Sequence, residues 1–448
     1  MRILVENGCY DLRNMGDVAM LQVAVSRLMQ LWPDALIEVI TDSPALLARY
    51  CPGSHPVPAA GRYLWCRDRN LFRVVGLSGA GGVGKLSLKL WNHIRRRRPE
   101  LAKALIGINA RCRKVDVSQM DVFLKSLCDC DLLVVSGGGN ITDTFLNYAF
   151  TLLDVLEMSI RRGKPTVMFS HGIGPIRNEK LYAKAKLVLG KLDIIAVREK
   201  RVSPAILESL GIDRERIVVT GDDAIALAYQ KRKAQFGDRI GVNLRVAEYS
   251  QIKKEDIEIL RLVLHRSARK YNAELTALPI CFQKENSDVK VIAKLLADYD
   301  KGSVGGQGLD SPQELIAGVG SCRVVVTGSY HPAVFALAQG IPVVALVNSD
   351  YYKDKFLGLS SQFGCGCDVV FLSGPDASEK LAASIERAWG LAEQIRPELL
   401  KSAQRQIAAS ISVYQRLYDM VESGTVTTKP VTKERYKVDV YDYKYTNI

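Results

Sequence analysis

One histidine stands where a proton-transfer group would be useful. His331 lies in the segment Thr327-Gly-Ser-Tyr-His-Pro332, between the apolar run Arg323 to Val326 and the helix-like run AVFALAQ. This position at a strand-to-helix switch is unlike that of a core histidine. A neutral imidazole there can act as a general acid or base near pH 7, because its ordinary pKa gives access to both forms. The sequence therefore predicts a functional role for His331.

Four cationic side chains near predicted strand ends favour an anionic ligand. Arg198 follows the apolar run DIIAV, and Arg245 closes the segment Gly-Val-Asn-Leu-Arg. A guanidinium at a strand end can grip a carboxylate or phosphate through two hydrogen bonds, although either arginine can equally form an internal salt bridge. Lys353 and Lys355 follow the apolar run PVVALV and add positive potential.

The first predicted strand is followed by a short polar turn that opens a helix. The turn contains Asn14, Gly16 and Asp17. Gly16 allows a tight turn, and Asp17 can cap the helix. The alternative is that free backbone N–H groups at this helix start face an anion or a sugar hydroxyl. The turn is thus either a cap or part of a binding loop.

Two glycine-rich loops follow later buried strands and should lie side by side on one sheet edge. Glycines let the main chain approach a ligand closely or turn without steric cost. His171, in the second loop, is a candidate donor to a ligand oxygen, with a hydrogen-bonded structural histidine as the alternative. The candidate binding residues of these loops are Gly137, Gly138, Gly139, Asn140, His171, Gly172 and Gly174.

The elements that position these residues alternate between strand and helix. Apolar strand-like runs recur through both halves of the chain with helix-like segments between them, which predicts an α/β protein with mainly parallel sheets. We expect two Rossmann-like domains, at residues 1–232 and 233–378, facing a central cleft. Residues 379–448 are expected to form a helix and tail that pack back across the hinge. Ligands of such tandem domains bind in the cleft, where the carboxyl ends of the strands face each other.

A basic stretch in the first half gives a separate signal. Residues 79–85 look like a phosphate-binding P-loop, but Leu86 stands where the hydroxyl that holds Mg²⁺ should be. Over residues 85–98, lysines and arginines alternate with apolar residues. This pattern predicts either contact with an anionic membrane surface or a solvated helix face.

The composition is that of a soluble globular protein. The chain has 448 residues, of which 48% are hydrophobic, and its net charge of +13 favours an anionic partner. No apolar run of the sequence is long enough to span a bilayer, so we expect a cytoplasmic protein. The ten cysteines lack the paired spacing of a zinc site, and the sequence has no triad or metalloenzyme motif, so we expect reduced thiols and no metal.

Six motifs, taken in order, resemble those of the polysaccharide pyruvyl transferase family. The resemblance covers about residues 1 to 360, and the ordered set is more specific than any single motif. The motifs are N-x-G-D-x-A from Asn14, S-G-G-G-x-x-x-D from Ser136 to Asp143, S-x-G-x-G-P from Ser170 to Pro175, V-R-E from Val197 to Glu199, T-G-D from Thr220 to Asp222, and H-x-x-x-F-A-x-x-x-G-x-P from His331 to Pro342.

The resemblance implies a GT-B-like fold, with the acceptor on the side of the first domain and the donor on the side of the second. Members of the family transfer a pyruvyl group from phosphoenolpyruvate to sugar hydroxyls of cell-surface polysaccharides or their lipid-linked precursors, forming a ketal. Such a transfer needs phosphoenolpyruvate as donor substrate and no metal or redox cofactor.

The resemblance also implies roles for individual residues. His331 matches the essential histidine of the family's R-x-H motif, which protonates the enol methylene or handles the hydroxyl proton. Ser329 stands where the family has the arginine, so one cationic contact is missing, and either a nearby cation compensates or the donor differs. The implied donor-binding set is Arg198, Arg245, Ser329, Tyr330 and Lys355. Asp17, assigned to catalysis with His331, is one of three carboxylates that could steady a developing positive carbon, the others being Asp143 and Asp222.

Two other functions stay open at this point. One is a GT-B glycosyltransferase or sugar-nucleotide-binding enzyme, in which the glycine-rich loops and His331 hold a nucleotide diphosphate. The other is a non-catalytic scaffold of a polysaccharide pathway. The expected partners are a small-molecule donor and a glycan or lipid-linked glycan, while peripheral contact of residues 85–98 with the anionic inner face of the membrane stays open. Nucleic acid is not expected, and a homo-oligomer stays open.

Overall fold

The computed structural model describes residues 1–67, 91, 94, 99–112, 116–283, 287–302 and 308–424. These residues form two parallel β-sheets with helices between successive strands, so the predicted α/β class is confirmed. No described helix combines the length and the apolar composition needed to cross a membrane.

The first sheet has seven strands in the order β3-β2-β1-β4-β5-β6-β7, all paired in parallel. Both faces are buried, since Ile3 and Val5 pack into one apolar cluster and Leu4 into another. This is why the strands read as continuous apolar runs. The strands are β1 (Arg2–Glu6), β2 (Leu36–Thr41), β3 (His55–Pro58), β4 (Leu132–Ile141), β5 (Thr166–Ile173), β6 (Ile194–Val197) and β7 (Ile217–Val219).

The helices of the first domain connect these strands and cover the sheet. Between β4 and the helix that begins at Leu146, the chain makes one 3₁₀ turn, Asp143–Phe145. The helices are α1 (Met15–Leu31), α2 (Pro44–Tyr50), α3 (Ala59–Arg67), α4 (Pro99–Cys112), α5 (Ser118–Asp129), α6 (Leu146–Arg161), α7 (Glu179–Leu189), α8 (Ser203–Ser209) and α9 (Ala224–Gln230).

Helix α1 is capped by a different residue from the one the sequence suggested. The Asn14 side chain accepts the backbone N–H of Gly16 at 3.1 Å and so caps the helix. The expectation that Asp17 is the cap is wrong, because the helix begins at Met15 and Asp17 is already its third residue. The Asp17 carboxylate is therefore left for the cleft.

The second sheet has five parallel strands in the order β12-β11-β10-β8-β9. Its strands are β8 (Arg239–Asn243), β9 (Leu275–Ala277), β10 (Cys322–Thr327), β11 (Val343–Val347) and β12 (Cys367–Phe371). Its helices are α10 (Lys254–Tyr271), α11 (Asp288–Leu296), α12 (Pro312–Val319), α13 (Tyr330–Ala338) and α14 (Asp350–Phe363).

The two domains meet along the carboxyl edges of their sheets. Backbone hydrogen bonds join them directly, from Met15 N to Ile280 O at 2.9 Å and from Phe282 N to Arg13 O at 2.8 Å. The last described helix, α15 (Ala377–Glu422), begins on the second domain and ends on the first, where Glu422 accepts from the Trp32 indole N–H at 2.9 Å.

Several sequence predictions concern residues that lie wholly or largely outside the described part of the chain. The P-loop-like segment 79–85 and the tail after residue 424 lie outside the described residues. Within 85–98 only Trp91 and Ile94 are described, and Trp91 is fully buried. Strand β3 was not among the predicted strands, because its two prolines hide the strand pattern of an edge position.

Candidate active site

The two glycine-rich loops are extensions of strands rather than separate turns. Strand β4 continues to Ile141 and β5 to Ile173; Gly138 pairs with His171 in the same register as the preceding residues, and the register shifts between Gly138 and Ile141. The prediction that these segments follow their strands as loops is therefore wrong, but they do lie side by side on one sheet edge. Gly137 and Gly138 have φ values of 73° and 135°, a region that favours glycine, so the strand can bend here.

His331 enters the cleft because a glycine makes room for it. A Cβ added to Gly16 would lie 1.9 Å from His331 Nδ1, so only glycine fits at the second residue of α1. His331 is the second residue of α13, and its side chain is buried. This contact joins the two predicted functional segments across the domain boundary.

Asp222 links His331 to Arg198. Its Oδ2 atom lies 3.7 Å from His331 Nε2 and 3.4 Å from Arg198 Nη1. The loop after β7 holds the carboxylate in place through the backbone N–H of Ala224, which donates to Asp222 Oδ1 at 3.0 Å. A single carboxylate thus contacts both the candidate acid and the candidate anion-binding cation.

Two cations from opposite domains converge on the backbone of Gly139. A Cβ placed there would be 2.8 Å from Arg198 Nη2 and 3.0 Å from Lys355 Nζ. Arg198 also crosses Gly172, whose Cβ position lies 2.9 Å from its Nε, and stacks on the Tyr330 ring at 4.1 Å. We call Arg198 and Lys355 the cation pair.

Arg245 does not join the cation pair. Its guanidinium donates to both oxygens of Asp288, from Nε at 2.6 Å and from Nη2 at 3.2 Å, and its Nη1 donates to the Tyr249 hydroxyl at 3.1 Å. Asp288 also accepts the backbone N–H groups of Ile280 and Cys281. Of the two alternatives that the sequence left open for Arg245, the structure has the internal salt bridge.

Several buried polar atoms in the segments that carry the candidate site lack a hydrogen-bond partner among the described residues. Ser329 is the residue before α13, but its side chain makes no capping bond. Buried polar atoms are nearly always paired, so a group of unpaired ones is typical of a site that binds a ligand. The atoms are the hydroxyls of Ser136, Ser329 and Tyr330 and the Nε2 atom of His331.

Desolvation and the nearby cations shift the pKa values of the ionisable groups. Burial raises the pKa of Asp222 to about 6 and that of Asp17 to about 6, against the opposing attraction of the cations. Burial, reinforced by Arg198, holds the pKa of His331 well below its usual range and lowers that of His171 to about 3. Burial and Arg198 likewise lower the pKa of Lys355.

The remaining candidates lie around this centre with structural contacts of their own. Asn140 and Asp17 flank Gly8, with Asn140 Nδ2 3.0 Å and Asp17 Cγ 3.8 Å from its Cβ position. Asp143 is occupied by the backbone N–H groups of Arg177 and Asn178, so it organises the chain after β5. Gly174, with φ 98°, packs against Ile206.

Sequence reasoning missed two side chains of the site. Tyr351 accepts a hydrogen bond from Lys355 Nζ, and its ring lies 4.0 Å from that nitrogen. Ser136 lies inside a quoted motif but was not selected. The spacing of four residues between Tyr351 and Lys355 on one helix was the available signal. No cluster of three or more His, Cys, Asp or Glu side chains among the described residues has an arrangement that could hold a metal ion.

Comparison with solved structures defines the fold class as GT-B. A putative UDP-N-acetylglucosamine 2-epimerase from Listeria monocytogenes matches with a TM-score of 0.54 at 12% identity, covering 96% of this chain and 98% of that one. The UDP-GlcNAc 2-epimerase from Neisseria meningitidis matches with a TM-score of 0.52 at 13% identity, covering 94% and 100%. At these identities the likeness extends to the fold alone.

The sequence model of the polysaccharide pyruvyl transferase family matches residues 14–350, and the chain belongs to this family. The amylovoran biosynthesis protein AmsJ of Erwinia amylovora is 21% identical in an alignment 352 residues long that covers 69% of this chain and 82% of that protein. The protein is therefore a transferase that modifies polysaccharide, as the six motifs predicted.

Proposed function

We propose that the protein transfers the pyruvyl group of phosphoenolpyruvate to hydroxyls of a polysaccharide sugar, or of its lipid-linked precursor, with formation of a ketal. The observation that carries this proposal is the convergence of Arg198 and Lys355, from opposite domains, on Gly139 beside His331. Phosphoenolpyruvate carries a phosphate and a carboxylate on one small skeleton. Two desolvated cations with room at a glycine backbone suit such a donor.

The cation pair also accounts for the missing arginine of the family motif. Ser329 removes one positive charge from the position two residues before His331. Lys355 on α14 supplies a charge instead once an anionic donor is bound, because the donor offsets the burial and the Arg198 charge that hold the pKa of Lys355 well below its usual range. The Ser329 and Tyr330 hydroxyls, which lack a partner among the described residues, can donate to phosphate or carboxylate oxygens. Arg245 is held by Asp288 and contributes only to the surrounding potential.

His331 acts as the general acid once the donor is bound. Burial and Arg198 hold the pKa of His331 well below its usual range. A bound trianion offsets the positive charge of the cation pair and so favours the imidazolium, which Asp222 Oδ2, 3.7 Å from His331 Nε2, also stabilises. Proton donation is thereby tied to the presence of the donor.

Side chains of this protein can carry out the proton transfers that the reaction needs. His331 gives its proton to C3 of phosphoenolpyruvate, which becomes the methyl group, while a sugar hydroxyl adds to C2 and loses its proton to a carboxylate. The C2–O bond to phosphate then breaks, and phosphate leaves with the bonding electrons. A second hydroxyl adds to C2 and closes the ketal, its proton leaving with phosphate.

Asp17 is the carboxylate for the acceptor side. It projects from the first turn of α1 beside Asn140, and its pKa of about 6 allows it to exchange a proton near neutrality. Once Asp17 has taken the hydroxyl proton, the negative charge of Asp222 stabilises the positive charge that develops at C2.

The test uses the purified full chain with phosphoenolpyruvate and a polysaccharide from which mild acid has removed the pyruvyl ketals. We expect release of inorganic phosphate that depends on the acceptor, with one ketal formed per phosphate as measured by mass spectrometry. His331→Gln should bind phosphoenolpyruvate but release phosphate about 10²–10⁴-fold more slowly. Absence of phosphoenolpyruvate binding, together with binding of uridine or guanosine diphosphate, would contradict the proposal and favour glycosyl chemistry.

A further inference from the structure

The carboxylate next to Asp222 has a different set of partners. Asp223 is buried and accepts hydrogen bonds from Arg27 Nη1 at 3.0 Å, from the Tyr414 hydroxyl at 3.0 Å and from the Ser410 hydroxyl. Arg27 belongs to α1, whereas Ser410 and Tyr414 lie on α15. Two consecutive residues of one loop therefore face different parts of the molecule: Asp222 faces the candidate active site, and Asp223 faces α15.

The loop from Thr220 to Asp223 is pressed between β5 and α15. The Ser170 hydroxyl accepts the backbone N–H of Asp223 at 2.7 Å and donates to Gly221 O at 3.3 Å. On the other side, a Cβ on Gly221 would lie 2.3 Å from Gln406 Oε1, so α15 packs directly on the loop backbone. The position of Asp222 is thus fixed by contacts behind it.

The same helix also contacts the strand that carries His171. The Tyr414 ring stacks on Phe169 of β5 with 4.1 Å between centroids, two residues before His171. Arg27 Cζ lies over the Tyr414 ring, 4.9 Å from the ring centroid. Tyr414 is therefore an anchor for both the loop of Asp222 and strand β5.

The first half of α15 is bound to the second domain. Trp389 stacks on Tyr271 of α10 at 4.5 Å, and Arg387 forms an ion pair with Asp368 of β12 at 2.6 Å. One continuous helix therefore connects the domain of His331 and Lys355 to the loop of Asp222.

We propose that Ser410 and Tyr414 are positioning residues, which hold Asp223 so that its neighbour Asp222 contacts His331 and Arg198. Through α15 the placement of this carboxylate depends on how the second domain sits on the first. This inference rests on the proposed function for the role of His331, but the positioning itself is measurable without turnover.

The test reads the surroundings of His331 directly. In the full chain labelled with ¹³C-histidine, the Cε1–H signal of His331 is assigned by its loss in His331→Gln. Asp222→Asn should displace this signal, and Tyr414→Phe and Ser410→Ala should displace it in the same direction. Loss of one buried hydrogen bond to a charged group should also weaken phosphoenolpyruvate binding about fivefold or more.

The matched control is Tyr418→Phe, one turn further along α15, where the ring packs on Trp32. This variant should leave the His331 signal in place. An unmoved His331 signal in folded Tyr414→Phe and Ser410→Ala would overturn the positioning role, and Ser410→Ala carries the test if Tyr414→Phe does not fold. If phosphoenolpyruvate fails to move the His331 signal of the wild-type protein, the proposed function fails separately.

Discussion

Arg198 and Arg245 occupy comparable positions at the carboxyl edges of the two sheets, yet their surroundings differ. Arg245 is gripped by both oxygens of Asp288, which also binds two backbone N–H groups. Among the described residues, Arg198 lies 3.4 Å from Asp222, stacks on the face of Tyr330 and crosses the backbone of Gly139 and Gly172.

This difference distinguishes an arginine with a structural role from one whose surroundings suit ligand binding. The Arg245–Asp288 pair is a completed structural unit of the second domain. The cluster around Arg198 holds hydroxyls that lack a hydrogen-bond partner among the described residues, a carboxyl with a raised pKa and a second basic side chain, which is the arrangement expected of a site that binds an anionic ligand. Variants in the two regions should therefore fail in different ways.

The largest effect is expected at His331. His331→Gln should lower turnover by about 10²–10⁴-fold, the usual contribution of a positioned general acid, while phosphoenolpyruvate binding persists. The measurement is phosphate release at saturating donor. His265→Gln is the matched control, because that histidine is bonded to Leu295 O away from the cleft. Equal losses of turnover in the two variants would contradict the assignment.

The structural pair should respond in stability. Asp288→Asn leaves Arg245 buried without its carboxylate, so the free energy of unfolding should fall by about 3–5 kcal/mol in urea denaturation. Asp222→Asn should cause no such loss at pH 7.5. The reason is that a carboxyl whose pKa rises from 3.8 to about 6 on folding reduces stability above pH 6 when ionised. A comparable loss in both variants would erase the distinction between the regions.

Donor affinity should depend on Arg198. Arg198→Ala removes charge-assisted hydrogen bonds worth about 1.5–3 kcal/mol, so the Kd for phosphoenolpyruvate should rise by roughly 10- to 150-fold in calorimetric titration. Arg177→Ala is the control, since Arg177 is exposed and its ion pair with the exposed Asp350 is long, at 3.8 Å. An unchanged Kd in Arg198→Ala would place the donor elsewhere.

His171 should give the protein a measurable pH dependence. Its pKa of about 3 in the folded state lies below the ordinary 6.5, so the unfolded chain takes up the proton first as pH falls. Stability is then lost between pH 6.5 and pH 5, by about 2 kcal/mol from this group. In His171→Gln the difference in unfolding free energy between pH 7.5 and pH 5 should shrink by that amount. The exposed His55, replaced by glutamine, serves as control; a wild-type difference in His171→Gln would be contrary to expectation.

The smallest effect is expected from crowding the cation pair. Gly139→Ala places a methyl group 2.8 Å from Arg198 Nη2 and 3.0 Å from Lys355 Nζ, so both side chains must shift. We expect phosphoenolpyruvate to bind about fivefold more weakly, the equivalent of about 1 kcal/mol. Gly107→Ala on α4, where a Cβ meets nothing within 4 Å, should bind as the wild type does. Matching affinities in both variants would argue against convergence at Gly139.

Local patterns sufficed to predict the fold but not the caps. Buried parallel strands such as β1 and β11 are continuous apolar runs, so they were found directly. The edge strand β3 was not found, because prolines interrupt it. Asn14 and Asp17 are both good capping residues, and only the helix start at Met15 decides between them.

Contacts between distant residues could not be read from spacing. Arg198 and Arg245 look alike in sequence, and the deciding carboxylate, Asp288, is 43 residues from Arg245. Likewise the fit of His331 against Gly16 depends on how two domains meet. The candidate site was predicted as a set of residues, but tertiary structure decides which of these cations forms a bidentate pair with a buried carboxylate.

The most direct test of the central claim is a thermal-shift titration of the wild-type protein and Arg198→Ala with phosphoenolpyruvate and, separately, with uridine diphosphate. A ligand that binds only the folded state raises the melting temperature by mass action. We predict stabilisation of the wild type by phosphoenolpyruvate and its loss in Arg198→Ala. Stabilisation by uridine diphosphate alone, or an equal response to phosphoenolpyruvate in both proteins, would contradict a donor site at the cation pair.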